Sequence, residues 1–241
     1  MSCVLITGAT SGIGFQLAKD YADTGWNVVA CGRNTLALQE LEAYSPLIIS
    51  ARFELTDLEQ IKLVIARLEV SPELWIFNAG DCEYIDRGEI DAALIQRVFS
   101  VNVIGLANSL EACQPYFKPG HRIAIVGSIA SEVALPRAEA YGASKAAVSY
   151  LARTLQLDLK GKGIAVSVIY PGFVKTPLTD KNTFPMPMLI TAEQASQAIR
   201  RGLEKRNPHI YFPTRFTTIL RFIGALPYRW QNVITSKLVS R

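Results

Sequence analysis

The sequence predicts an α/β fold, a mostly parallel, doubly wound sheet with helices on both faces. Three observations carry this expectation. Short apolar runs rich in Val and Ile alternate with longer segments of helical period. The strand-length runs are apolar throughout, as strands covered on both faces must be. No Pro- or Ser-rich linker and no fixed-period repeat divides the 241 residues, so one domain spanning 1–241 is the economical arrangement.

The elements follow in chain order. Residues 3–7 read as a first strand that stops at Thr7-Gly8, and 27–31, 47–53, 74–77, 122–127 and 165–170 read as further buried strands. Between them, 13–24, 35–44, 58–68, 90–116 and 140–160 carry apolar residues at helical spacing. Pro171-Gly172 then breaks the chain, and 176–190 holds three prolines and no period. Thr191-Ala-Glu-Gln194 has the form of a capping box and opens a helix to about Lys205. Residues 209–212 complete the sheet as a short seventh strand. Phe216, Ile219, Leu220 and Ile223 form one apolar stripe and, after a break at 224–227, Trp230, Val233, Ile234 and Leu238 form another.

Composition narrows the function. A chain with 49% hydrophobic and 19% charged residues buries a core and is not a disordered segment. Its four cysteines form no CxxC pair, and His121 and His209 lie far apart, so no metal site and no disulfide framework is expected. Met1-Ser2-Cys3 offers no basic leader, and no run of about 18 uninterrupted apolar residues occurs, which predicts a cytoplasmic protein. The net charge of +4 is unevenly spread. All 21 acidic residues lie at or before Glu204, so the first 204 residues carry −3 and the remainder, with seven basic residues, carries +7.

The first strand runs directly into Thr7-Gly8-Ala9-Thr10-Ser11-Gly12-Ile13-Gly14, which opens a helix. Glycines at 8, 12 and 14 let the backbone turn tightly and approach a pyrophosphate, and the helix N-terminus presents unpaired N–H donors to it. Further motifs follow in order: Asn78-Ala79-Gly80, Asn102, Ser128, Tyr141-Gly-Ala-Ser-Lys145 and Pro171-Gly-Phe-Val-Lys-Thr176. Together these residues resemble a short-chain dehydrogenase/reductase of the roughly 250-residue type, over the chain to about residue 177. The resemblance implies a Rossmann-type three-layer α/β/α fold with a seven-stranded sheet. It also implies a nicotinamide cofactor contacted by Gly8, Thr10, Ser11, Gly12, Ile13 and Gly14, by Asn78, Ala79 and Gly80, and by Pro171, Gly172, Val174 and Thr176. The family's adenine-contacting acidic position falls on Glu54, beside Leu55, although the alignment could slide onto Asp57. Phe77 departs from the family, where many members carry Asn.

The second strand ends in Cys31-Gly32-Arg33. NAD-type members place Asp at position 32 to bind the ribose 2′-OH, whereas a guanidinium at 33 can hold a 2′-phosphate. NADP(H) is therefore the expected cofactor and NAD(H) the alternative.

Tyr141 and Lys145 are one helical turn apart and share a face. A cation beside the phenol favours phenolate and draws its pKa down from about 10, so that Tyr141 can protonate a carbonyl oxygen as hydride arrives. By resemblance Lys145 also holds the nicotinamide ribose, Ser128 donates to the substrate carbonyl, and Asn102 positions a water against the lysine. Asn inside an apolar helix also hints at a kink.

The segment from about 177 to 206 reads as a lid. It offers Leu178, Phe184, Met186, Met188 and Leu189 with no basic cluster, which favours an apolar or lipid-like substrate. The function expected is NADP(H)-dependent interconversion of a carbonyl and an alcohol. A 3-oxoacyl carrier-protein reductase is an alternative that the long tail disfavours. A non-catalytic NADP-sensing module is another, disfavoured because Tyr141 and Lys145 are both present. Dimer or tetramer formation through 90–116 and 140–160 is implied by the resemblance. Nucleic-acid binding is not expected, because the basic residues sit among apolar stripes. The tail from about 213 to 241 has two readings, packing on protein or lying on an anionic membrane surface.

Overall fold

The computed structural model describes residues 2–182 and 184–236. These form one sheet of seven strands: β1 (Cys3–Thr7), β2 (Asn27–Gly32), β3 (Ile48–Arg52), β4 (Leu74–Phe77), β5 (Arg122–Val126), β6 (Ala165–Pro171) and β7 (His209–Phe212). Their order is 3-2-1-4-5-6-7 and every pairing is parallel, so the sheet is wholly parallel where the sequence predicted a mostly parallel one. The chain reverses its direction of travel between β1 and β4. In such sheets a crevice opens at that point, beyond the carboxyl ends of the strands.

The helices are α1 (Gly12–Asp23), α2 (Thr35–Tyr44), α3 (Leu58–Ala66), α4 (Ala92–Phe99), α5 (Gly105–Cys113), α6 (Glu139–Lys160), α7 (Ala192–Glu204), α8 (Thr214–Gly224) and α9 (Tyr228–Ser236). Strand residues alternate between two cores. Leu5, Val29, Trp75, Ile123 and Val168 pack with Ile61, Leu110, Val148 and Ala152 of α3, α5 and α6. Val4, Ile6, Val28, Ile76 and Ala124 pack with Leu17, Leu41, Ala195 and Ile199 of α1, α2 and α7. Side chains of Asn34, Asp57 and Asp91 cap α2, α3 and α4, and the Thr191–Gln194 capping box forms at α7.

Three expectations need correction. β3 is not a buried strand: it lies at the sheet edge, with Ile49, Ser50 and Arg52 exposed, because only one neighbour and part of one layer cover it. The helix read over 90–116 is interrupted by a π-helical turn at Ser100–Ile104 between α4 and α5, since Asn102 is drawn into contacts described below. That run, Ala92–Tyr116, is nonetheless long and apolar enough to cross a membrane by length and composition; here it packs against α3 and α6 as part of one layer. α7 is no lid. Ala195, Ile199 and Leu203 bury it against α1 and the sheet; from the segment before it Pro177, Leu178, Thr179 and Lys181 line the crevice, and Val174 forms a bridge with Ile190. In the C-terminal stripes, α9 buries Gln231 and Thr235 and exposes Trp230, Val233 and Ile234, and Ile219 of α8 is exposed; Leu238 lies outside the described residues.

Candidate active site

The crevice at the carboxyl ends of β1, β4, β5 and β6 encloses about 380 Å³. Gly8, Thr10, Ser11, Gly12, Ile13, Arg33, Glu54, Leu55, Asn78, Ala79 and Gly80 line one part of it, and Pro171, Gly172, Val174, Thr176, Tyr141 and Lys145 another. Gly14 lies just behind this wall.

The glycine loop has little freedom to be anything else. Gly8 and Gly12 adopt φ of +67° and +54°, a region that disfavours side chains. A Cβ at Gly12 would meet Thr176 Cγ2 at 2.8 Å, and one at Gly14 would overlap the Gly8 carbonyl oxygen. Asn78 fixes the loop against β4. Its Nδ2 donates to the carbonyls of Thr7 (3.1 Å) and Gly8 (3.2 Å), while Thr7 Oγ1 accepts from the N–H groups of Asn78 and Ala79. Bare backbone therefore faces the crevice at the start of α1, as a phosphate-bearing ligand requires. Phe77, the family departure, is buried in the core between β1 and β5 and does not reach the crevice.

Gly32 carries no carboxylate, and a Cβ there would meet the Thr10 Cγ2 methyl, so a side chain at 32 would require the Thr10 side chain to turn away. Next to it, the exposed Arg33 guanidinium pairs loosely with Glu54 at 3.4 Å. Arg52, which sequence reasoning passed over, lies alongside, with Nε donating to the Arg33 carbonyl at 3.3 Å. The register that pairs Gly32 with Arg52 brings the Arg52 side chain to the Arg33 backbone, and pairing register is not written in either strand alone. Between the alternatives for the acidic position, Glu54 faces the crevice, and Asp57 instead caps α3 through the Gln60 N–H.

Four polar residues meet near the end of β5. Tyr141 is half-buried, and its phenol shares a hydrogen bond with Ser128. Ser128 is buried, and its Oγ accepts from the Ala130 N–H at 3.1 Å, which fixes the rotamer. Lys145 is buried with Nζ donating to the Val126 carbonyl at 3.0 Å and lying 5.9 Å from the centre of the Tyr141 ring. Asn102 is 2% exposed and fully engaged: Oδ1 accepts from the Asp81 N–H at 2.7 Å, and Nδ2 donates to the Asp81 carbonyl and to Ser144 Oγ, both at 2.9 Å. Ser144 in turn donates to the Tyr141 carbonyl. The π-turn thus ties the loop after β4 to the helix that carries Tyr141 and Lys145. A Cβ at Gly80 would lie 3.1 Å from Asn102 Oδ1 and 3.2 Å from Lys145 Nζ, so glycine keeps that approach open.

The electrostatics differ from the sequence expectation. Burial raises the Tyr141 phenol above its usual range, and burial pushes Lys145 down to about 8. The lowering of Tyr141 expected from Lys145 is outweighed, because the ammonium is directed at a backbone carbonyl and the phenol is desolvated. At neutral pH the pair is a neutral phenol beside an ammonium. A proton leaving Tyr141 leaves a phenolate that this ammonium compensates.

An aromatic wall adjoins these groups, and sequence reasoning missed most of it. Tyr84 meets Phe184 edge-on at 5.3 Å, Phe184 meets Phe173 at 6.1 Å, and Phe173 meets Phe216 at 5.4 Å. Arg137 lies over both Tyr84 and Phe184. The only available signal was the aperiodic stretch 81–90 directly after a strand, a typical place for binding loops. Of the predicted lid residues, Leu178 lines the crevice and Phe184 joins the wall, whereas Met188 and Leu189 face solvent.

Comparison with known proteins places these observations in context. A sequence profile of the short chain dehydrogenase family matches residues 2–185. An uncharacterised oxidoreductase of Myxococcus xanthus is 32% identical over 233 residues, covering 92% of each chain. The NADPH-dependent 1-acyldihydroxyacetone phosphate reductase of Saccharomyces cerevisiae is 28% identical over 214 residues, covering 84% of this chain and 72% of that one. Among solved structures, a short chain dehydrogenase from Burkholderia cenocepacia in complex with NADP has a TM-score of 0.86 at 24% identity, with 97% of each chain covered. At that identity the likeness concerns the fold.

Proposed function

The chain belongs to the short-chain dehydrogenase/reductase family of oxidoreductases, and from that premise we propose that it interconverts a carbonyl compound and an alcohol with NADP(H). The observation that carries the proposal is the convergence of Tyr141, Ser128 and Lys145 at one end of a crevice whose other end is a bare glycine cradle.

The residues present fit a nicotinamide dinucleotide. The backbone of Gly8 to Gly14 would hold its pyrophosphate, Glu54, Leu55 and Asn78 to Gly80 its adenosine, and Tyr141, Lys145 and Pro171 to Thr176 its nicotinamide end. When bound, this group supplies the hydride or accepts it. Tyr141 gives its phenol proton to the carbonyl oxygen, and in the reverse direction takes one from the alcohol. Ser128 donates to the same oxygen and stabilises its developing negative charge. Lys145 offsets the phenolate and would hold the ribose, while Asn102 holds the Tyr141 helix against the loop after β4.

Arg33, with Arg52 beside its backbone, favours NADP(H) over NAD(H), and the absence of a carboxylate at position 32 supports this. Charge-assisted hydrogen bonds contribute about 1.5–3 kcal/mol each, so Arg33→Ala is expected to lower the NADPH/NADH ratio of kcat/KM by roughly ten- to a hundredfold. Steady-state kinetics on a panel of aldehydes and ketones with both cofactors checks this, and an unchanged ratio would remove Arg33 from the reading.

The aromatic wall supports an apolar or lipid-like substrate. Exposed Ile104, Tyr150 and Leu157 on the α5–α6 side support assembly with further copies as a dimer or tetramer. Four buried free thiols suit a reducing, cytoplasmic setting.

A further inference from the structure

The helices α8 and α9 both turn large apolar side chains toward solvent. On its inner side α8 buries Thr217 and Leu220, and Phe216 and Ile223 pack with Ile129 and Val133 of the segment that follows Ser128. On its outer side Ile219 and Phe222, three residues apart, are 52% and 69% exposed. In α9 the usual arrangement is inverted. Gln231 is buried because its Nε2 donates to the carbonyls of Gly224 (2.9 Å) and Leu226 (2.8 Å), which caps the end of α8. Anchoring α9 by its polar edge turns Trp230 (50% exposed) and Val233 (52%) outward, with Ile234 beside them. A helix that seats a glutamine and a threonine inward and presents tryptophan and valine outward is amphipathic toward something other than its own protein.

Charge identifies what that is. Residues 205–241 contain seven Lys or Arg and neither Asp nor Glu. Within the two helices, Arg215, Arg221 and Arg229 are exposed, Arg221 lying over the Tyr211 ring at 4.2 Å and Arg229 over Trp230 at 5.1 Å. Aromatic and aliphatic side chains interleaved with arginines suit the interface of an anionic lipid bilayer, where the apolar groups enter the acyl boundary and the guanidinium groups meet the head groups. Position agrees with charge. Phe216 of α8 lies where a Cβ on Gly172 of the crevice would meet it at 2.7 Å, and it continues the wall formed by Phe173, Phe184 and Tyr84.

We propose that the outer faces of α8 and α9 form a docking surface for an anionic membrane, placed so that a lipid-like carbonyl substrate reaches Tyr141 along this aromatic wall. The docking surface deepens the lipid-like reading of the substrate and rests on it only for its purpose.

The test uses the full-length chain and two vesicle preparations, equimolar phosphatidylcholine and phosphatidylserine, and phosphatidylcholine alone. The protein is expected to co-sediment with the first, to bind the second weakly, and to be released by high salt, which screens the arginines. Phe222→Asp combined with Trp230→Asp is expected to weaken partition into the anionic vesicles by roughly tenfold or more, with an unchanged unfolding midpoint. Should that pair perturb folding, Arg221→Gln with Arg229→Gln keeps the apolar faces and is expected to weaken anionic-vesicle binding selectively. Absence of binding to anionic vesicles, or equal binding by these variants, overturns the proposal. So does self-association that the Phe222/Trp230 pair abolishes, since a second copy would then be the occupant. NADPH-dependent turnover of a short water-soluble aldehyde, measured without vesicles, reports the catalytic reading separately.

Discussion

Replacing Tyr141 by Phe is expected to lower turnover by about two to four orders of magnitude while NADPH binding survives. The substitution removes one hydroxyl from a half-buried ring and leaves the ring packing intact. The glycine cradle is untouched, and Ser128 remains fixed by the Ala130 N–H. The loss belongs to kcat, because the missing proton is needed only when the carbonyl oxygen becomes an alkoxide. Steady-state kinetics for the rate and fluorescence titration for NADPH measure the two quantities separately. A parallel fall in both would mean that Tyr141 serves the fold or the cofactor rather than proton transfer. The wild-type pH profile carries the same signature. Lys145, pushed down to about 8, is an ammonium below that pH and compensates the phenolate; as the pH rises past it the charge is lost, so carbonyl reduction should fall on the alkaline side.

Gly14→Ala is expected to damage both stability and cofactor binding. The new methyl would overlap the Gly8 carbonyl oxygen and press on Asn78 Nδ2, two groups whose 3.2 Å hydrogen bond joins the glycine loop to β4. Neither is the free end of a flexible chain, so β1, α1 and the loop must separate. Overpacking of this kind costs about 1–3 kcal/mol, and the displaced backbone no longer presents its N–H groups to a phosphate. Gly161→Ala is the control: that position has open space around it and no left-handed backbone, and it should be near neutral. Denaturant unfolding and NADPH titration of the two variants check the contrast.

Much of this was legible because the signals are local. Continuous apolar runs mark most of the strands and 3.6-residue periods the helices, and Gly8 to Gly14 and Tyr141 to Lys145 are each compact in sequence. What escaped was set by tertiary partners. The π-turn at Ser100–Ile104 exists because Asn102 reaches Asp81 and Ser144, 21 and 42 residues away. The apolar stripe of α9 was visible, but which face would dock was not, since the carbonyls of Gly224 and Leu226 claim Gln231. β3 differs from its neighbours only in having one of them fewer. Arg52 joined Arg33 through strand register, and Tyr84 joined the aromatic wall through a loop that no periodicity describes.

The assignment of catalysis is tested most directly with NADPH carrying deuterium at the transferable position of the nicotinamide. Wild-type protein is incubated with a panel of aldehydes and ketones, and the products are analysed by mass spectrometry. The account predicts that at least one carbonyl yields an alcohol carrying one deuterium per NADPH consumed. Saturable NADPH binding with no labelled alcohol from any member of the panel would contradict it, and would leave the crevice as a cofactor sensor.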